Sequence, residues 1–184
     1  GKPTKFVGPV YEREEAQARA KAAGWAIAAD GTKWRRVVAS PAPLDIPDLH
    51  VLKLLLEQGV IVICAGGGGI PVVQRDDGSL VGVEAVIDKD AASALLARKL
   101  EADALLLLTD VDGVYRDFGT QAAARLPHLT LAEAETLDVP AGSMGPKVHA
   151  GRDFALCGGI AGIGRLEDAL AILSGEAGTQ IKGM

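Results

Sequence analysis

The sequence predicts an α/β fold built on a mainly parallel sheet, and three observations carry that expectation. Helix-like and strand-like stretches alternate from about residue 46 to the end of the chain. Two runs, residues 60–65 and 104–108, are short and wholly apolar, as suits strands covered on both faces. Aromatic residues make up only 4% of a chain that is 48% hydrophobic. The core must therefore come from Val, Leu, Ile and Ala.

The first 43 residues read differently. Pro3 and Pro9 favour extended backbone over residues 1–11, and residues 12–23 are rich in Ala, Glu, Lys and Arg, a strong helix signal. Residues 25–29 and 33–38 flank Asp30-Gly31, a hairpin signal. Pro41 and Pro43 close the section. The expected organisation is a small turn-rich subdomain over residues 1–43 and an α/β lobe over residues 44–184.

In the lobe, Leu49, Leu52, Leu55 and Leu56 line one face of a helix over residues 48–58, which Gly59 ends. The buried run 60–65 follows and enters Gly66-Gly67-Gly68-Gly69. Residues 75–79 form a hairpin turn. The stretch 82–90 is an apolar run ending in Asp88-Lys89-Asp90, and residues 91–100 form a helix that Asp88 can cap. Residues 104–108 are the second buried strand. Thr130 and Glu133 form a capping box for a helix over residues 131–137. Pro146 suits the first position of a helix over residues 147–156. A strand over residues 159–163, weakened by its glycines, a helix over 166–173 and a strand over 178–181 complete the chain.

Charge and composition exclude several functions. A net charge of −5 opposes a nucleic-acid partner, which wants a basic face. No apolar run approaches the roughly 18 residues of a membrane span, and residues 1–5 do not resemble a signal peptide, so a cytoplasmic location is expected. Cys64 and Cys157 are expected as buried, reduced thiols. His50, His128 and His149 show no ligand spacing, and no metal-binding residue set is expected. The chain starts without methionine, as a fragment or a processed product does.

Chemistry concentrates at a few turns. Glycines at 66 to 69 let backbone N–H groups approach a phosphate, although a plain tight turn has the same composition. Lys89 between two aspartates is either a surface ion pair or a point charge for phosphate oxygens, with Asp90 holding the lysine and any Mg²⁺. Asp110 and Asp112 follow a buried strand, either as a polar turn or as ligand-facing carboxylates. Lys147 at a helix N-terminus does not help that helix, so it calls for an anion. Lysines, glycines and lone aspartates without a nucleophilic triad suit phosphoryl transfer, which needs positioning and charge neutralisation.

The ordered set Pro3-Thr4-Lys5-Phe6-Val7-Gly8-Pro9, Trp34-Arg35-Arg36-Val37-Val38, Gly66 to Val72, Gly82 to Asp90, Thr109 to Tyr115 and Gly142-Ser143-Met144-Gly145-Pro146-Lys147 closely resembles the carbamate kinases of the amino-acid kinase family. That resemblance implies an αβα sandwich (an incomplete amino-acid kinase fold) with a projecting hairpin subdomain over the active site. It also implies reversible phosphoryl transfer between ATP and carbamate with Mg²⁺, run in arginine fermentation from carbamoyl phosphate and ADP toward ATP, by a homodimer. Carried over by motif, Lys5, Lys89 and Lys147 neutralise the transferring group and Asp90 orients lysines. Gly66, Gly67, Gly68 and Gly69, Asp110, Asp112, Gly113 and Tyr115, and Ser143 and Met144 border the nucleotide. Two family loops, Gly-Gly-Asn-Ala and Gly-Asn-Gly-Pro, do not occur here, so the nucleotide half is expected without the carbamate half and with little turnover. The competing expectations are a non-catalytic nucleotide-binding module and another phosphotransferase of the same family, such as an acetylglutamate or uridylate kinase.

Overall fold

Residues 2–140 and 143–183 are described by the computed structural model, and they divide into two units. The first comprises Gly1–Ala42 with Gly67–Asp88, the second Pro43–Gly66 with Lys89–Met184. The chain thus passes from one unit to the other three times. The expected division near residue 43 differs from this one because residues 67–88 group with the N-terminal residues, through the Ala39–Ala85 bridge and the Val86 N–H bond to Ala39 O at 3.0 Å.

In the first unit, β1 (Lys5–Tyr11), β2 (Ala26–Asp30) and β3 (Lys33–Val38) form an antiparallel sheet in the order β1-β3-β2. Helix α1 (Arg13–Ala23) packs on β2 and β3 and buries Ala16, while Val37 and Val38 supply the buried side of β3. Gly24 ends α1 in the left-handed region and returns its N–H to Ala20 O. Few apolar residues support this small sheet, and arginines over the aromatic rings (Arg13 on Trp34, Arg19 on Tyr11, Arg36 on Trp25) add to it. Strands β4 (Val72–Gln74) and β5 (Leu80–Gly82) make a hairpin, with Asp77 accepting from the Ser79 N–H at 2.9 Å in the turn.

The second unit holds α2 (Leu49–Glu57), α3 (Lys89–Lys99), β6 (Ala104–Thr109), β7 (Tyr115–Arg116), β8 (Ala124–Arg125), β9 (His128–Leu129), α4 (Leu131–Thr136), α5 (Met144–Ala155), β10 (Ile160–Arg165), α6 (Ala169–Ser174) and β11 (Thr179–Ile181). Its sheet runs β6-β10-β11-β9, parallel between β6 and β10 and between β11 and β9, antiparallel between β10 and β11. The expected mainly parallel α/β sheet is therefore present. The sheet is covered on both faces. Ala161, Ile163, Leu107 and Ile181 join Val148, Ala150 and Phe154 of α5 in the main core. Gly162 and Gly164 point the other way, toward Ile172 of α6.

Those two glycines explain a strand that looks weak in sequence. A Cβ on Gly162 would stand 2.4 Å from Ile172 Cγ2, and one on Gly164 2.7 Å from Ile172 Cδ1. Side chains there would push α6 off the sheet. The lost strand propensity is offset by close helix–sheet packing and by pairing on both edges of β10. The capping box at Thr130 and Glu133 forms as expected, each side chain bonding the other's backbone N–H.

Several expectations need correction. Residues 60–65 form no strand, and Ile61 and Ile63 are 93% and 99% exposed. Strand propensity needs hydrogen-bonded neighbours, and among the described residues no strand pairs with this run. Helix α2 forms, but none of its residues is fully buried. Residues 83–87, apolar apart from Glu84, make only the single bridge at Ala85. Helix α5 begins at Met144, so Pro146 is its third residue; it is still in the first turn, where its missing N–H forfeits no intrahelical bond. The expected helix over 166–173 is a 3₁₀ turn, Leu166–Asp168, followed by α6. Cys64 and Cys157 are free, as expected, yet exposed rather than buried. Cys64 lies in the unpaired run, and Cys157 in the turn after α5.

Candidate active site

The most enclosed ion pair among the described residues joins two helices of the second unit. Asp90 is the second residue of α3 and Lys147 the fourth of α5, and packing of α3 on α5 brings both side chains into the interior. Lys147 Nζ donates to Asp90 Oδ2 at 3.0 Å and to Oδ1 at 3.3 Å. Both residues are buried. An acidic side chain in the first turn of α3 suits the helix dipole; a lysine in the first turn of α5 opposes it and requires an anion. Asp90 supplies one. Lys89 Nζ lies 3.7 Å from Asp90 Oδ1, with its side chain 60% exposed. One carboxylate thus faces two ammonium groups, one buried and one exposed.

In the first unit, Lys5 at the start of β1 donates from Nζ to Asp88 Oδ2 at 2.8 Å. Asp88, read from the sequence as a helix cap, immediately precedes α3 and serves as the lysine's acceptor. Sequence reasoning missed this pairing, since 83 positions separate the two residues.

The loop after β6 carries the second group of candidates. Thr109 Oγ1 donates to Asp110 Oδ1 at 3.1 Å, and Tyr115 Oη donates to Asp112 Oδ1 and Oδ2 at 3.1 and 3.2 Å. The hydrogen bond to Asp112 raises the Tyr115 phenol above its ordinary value, with desolvation and the Asp112 charge adding to it; Arg125 and Arg165 partly oppose the rise. Gly113 is buried, and the Val114 N–H donates to Thr179 Oγ1 at 2.8 Å. Thr179 was not among the sequence candidates. Its signal is a hydroxyl residue in a strand that is otherwise fully buried.

Gly66, Gly68 and Gly69 adopt positive φ in an open turn, with no atom within 4 Å of a Cβ on Gly66, Gly67 or Gly69. Ser143 is exposed and Met144 packs against the main core. Gly142 lies outside the described residues. Among the described residues no three His, Cys, Asp or Glu side chains stand together as a metal cage, and no helix is long and apolar enough to cross a membrane.

A sequence model of the amino acid kinase family matches residues 14–163. The chain belongs to the amino acid kinase family. Among amino acid kinases it is similar to the carbamate kinase of Rhizobium meliloti (strain 1021), 48% identical over 182 residues, which are 97% of this chain and 56% of that protein. It is also similar to the carbamate kinase of Haemophilus influenzae, 49% identical over 180 residues, covering 97% of this chain and 58% of the relative. Of solved structures, one from Aeropyrum pernix K1 matches with a TM-score of 0.90 at 42% identity, covering 99% of this chain and 60% of that one. Carbamate kinase from Giardia lamblia bound to AMP-PNP matches with a TM-score of 0.87 at 39% identity and the same coverage. The present chain therefore spans 56–60% of the length of these four proteins.

Proposed function

We propose that this chain is the nucleotide-binding part of a carbamate kinase and serves phosphoryl transfer between carbamoyl phosphate and ADP. The observation that carries the reading is the buried Asp90–Lys147 pair, in which one carboxylate fixes a buried lysine, with the exposed Lys89 ammonium 3.7 Å from the same carboxylate. In this reaction an oxygen of the ADP β-phosphate attacks the carbamoyl phosphate phosphorus. The P–O bond to the carbamoyl group breaks, and carbamate leaves with its electron pair. The protein supplies no covalent nucleophile. Lys89 and Lys147 neutralise charge on the phosphoryl oxygens, and Asp90 fixes the direction of Lys147. The role of Lys5 rests on its motif, a cation held by Asp88.

The nucleotide is assigned to the loop after β6, with Asp110, Asp112, Gly113 and Tyr115, because ligands of open α/β sheets bind beyond the carboxyl ends of the strands. Gly66 to Gly69, Ser143 and Met144 are assigned to the same ligand by resemblance alone. Mg²⁺ belongs to the nucleotide substrate, since it is satisfied by phosphates and water with one or two carboxylates, and the lone aspartates here match that demand. A cytoplasmic homodimer is part of the same proposal.

Calorimetry with ADP and Mg²⁺ tests the binding half, and ATP formation from carbamoyl phosphate and ADP tests the reaction. We expect ADP binding that Lys89→Ala and Lys147→Ala each weaken. Absence of ADP binding would overturn the proposal. Little ATP formation by this chain alone is expected, and robust formation would overturn its reading as the nucleotide part only. ADP binding that survives Lys89→Ala would make the chain a nucleotide module without this site, and phosphate passing from ATP to acetylglutamate or uridylate and not to carbamate would reassign its substrate.

A further inference from the structure

We propose that Thr179 is a positioning residue whose hydroxyl holds the loop 112–115 in the shape that receives the nucleotide; this rests on the nucleotide assignment above. Three separate stretches of chain converge on that one oxygen. The Val114 N–H donates to Thr179 Oγ1 at 2.8 Å, and Thr179 Oγ1 donates to Leu126 O at 2.6 Å. The Leu126 N–H donates back to Val114 O at 2.8 Å, which closes a ring of three residues. The direction of each bond is forced. A backbone N–H only donates and a carbonyl only accepts, so the hydroxyl spends its proton on Leu126 and a lone pair on Val114.

The site is closed as well as bonded. Thr179 and Val114 are each 0% exposed. A Cβ on Gly113 would stand 2.9 Å from Thr179 Oγ1 and 3.3 Å from the Gly178 carbonyl carbon, so the loop lies directly on β11. Valine would fill the same space as threonine but leave the buried Val114 N–H without its acceptor and the half-buried Leu126 C=O without its donor. The hydroxyl is therefore an orienting device at this place, one residue before Tyr115 and two after Asp112. The neighbouring Gln180 works on a different element: its Nε2 donates to Ile172 O at 2.8 Å and Leu173 O at 3.1 Å, anchoring the end of α6. Adjacent residues of one strand thus separate loop positioning from helix anchoring.

The experiment compares wild type with Thr179→Val, Thr179→Ser, Gly113→Ala and Gln180→Leu, reading the ADP dissociation constant in Mg²⁺ by calorimetry, Val114 amide exchange and the thermal midpoint. Thr179→Val is expected to weaken ADP binding about tenfold and to speed Val114 exchange, and Thr179→Ser to restore binding to within about twofold. Gly113→Ala crowds the same hydroxyl, and because Gly113 is itself assigned to the nucleotide it is read by Val114 exchange, which is expected to speed up; an unchanged rate would overturn the inference should Thr179→Val fail to fold. Gln180→Leu is expected to lower the thermal midpoint while leaving ADP binding within about twofold. Wild-type ADP affinity in Thr179→Val would overturn this inference alone, as would Gln180→Leu weakening ADP as much as Thr179→Val does. No ADP binding by wild type defeats the nucleotide assignment and this inference with it.

Discussion

Lys147 Nζ lies 3.0 Å from Asp90 Oδ2 across 57 positions of sequence, and both side chains are withdrawn from water. Breaking one side of such a pair strands a buried charge. Asp90→Ala is therefore expected to destabilise the chain by about 3–5 kcal/mol in urea unfolding. The double variant Asp90→Leu/Lys147→Met removes both charges and is expected to recover most of that loss while abolishing ADP binding. A loss below about 1 kcal/mol in Asp90→Ala would show that the pair does not constrain the helices.

Tyr115 offers a pH test. Its phenol is held above the ordinary value chiefly by the hydrogen bond to Asp112. A group whose folded value is raised contributes stability that is fully present below the unfolded value of about 10 and is lost as pH rises through the higher folded value. Asp112→Asn should move the Tyr115 titration back toward the ordinary range. Phenolate absorbance in a Tyr11→Phe background isolates Tyr115, since the chain has only two tyrosines. An unmoved titration would mean that Asp112 does not set it.

Gly162→Ala should be costly despite its single added carbon. That carbon would meet Ile172 Cγ2 at 2.4 Å and Leu106 Cδ2 at 2.7 Å, and overpacking of this kind costs roughly 1–3 kcal/mol. Combining it with Ile172→Val should return part of the loss. Additive losses in the double variant would argue against the contact.

Ile61→Lys and Ile63→Lys should do almost nothing to the stability of this chain. Both side chains are almost wholly in water, so a change within about 0.5 kcal/mol is expected from urea unfolding. The same variants should lower binding of a hydrophobic dye. Marked destabilisation would mean that residues 60–65 are packed in solution.

Local signals were the most legible. The Asp30-Gly31 hairpin, the Thr130–Glu133 capping box and the alternation of helices with apolar strands all appear where short-range chemistry puts them. The run 60–65 was misread because a strand is a property of pairs, and its composition says nothing about whether neighbours exist. Gly162 and Gly164 misled in the opposite sense: their weak propensity hides a contact with Ile172 that no local window contains. In the candidate site, Lys147 demanded an anion on dipole grounds, and Asp90 fills that demand. The Lys5–Asp88 pair and the Thr179 hydroxyl depend on long-range closure and leave only faint marks in sequence.

The first unit is assembled from two separate pieces of chain, Gly1–Ala42 and Gly67–Asp88, and this sets an order of events on the ribosome. Strands β1 to β3 can pair as soon as they emerge. Asp88 follows Lys5 by 83 positions, which at about 5–20 residues per second is a delay of roughly 4–17 seconds. For that interval the lysine has no Asp88 to hold it. No single cut yields the first unit by itself either: a chain stopped at residue 88 would carry residues 43–66 of the second unit with it, and one stopped at residue 42 would lack both the β4–β5 hairpin and the carboxylate that holds Lys5.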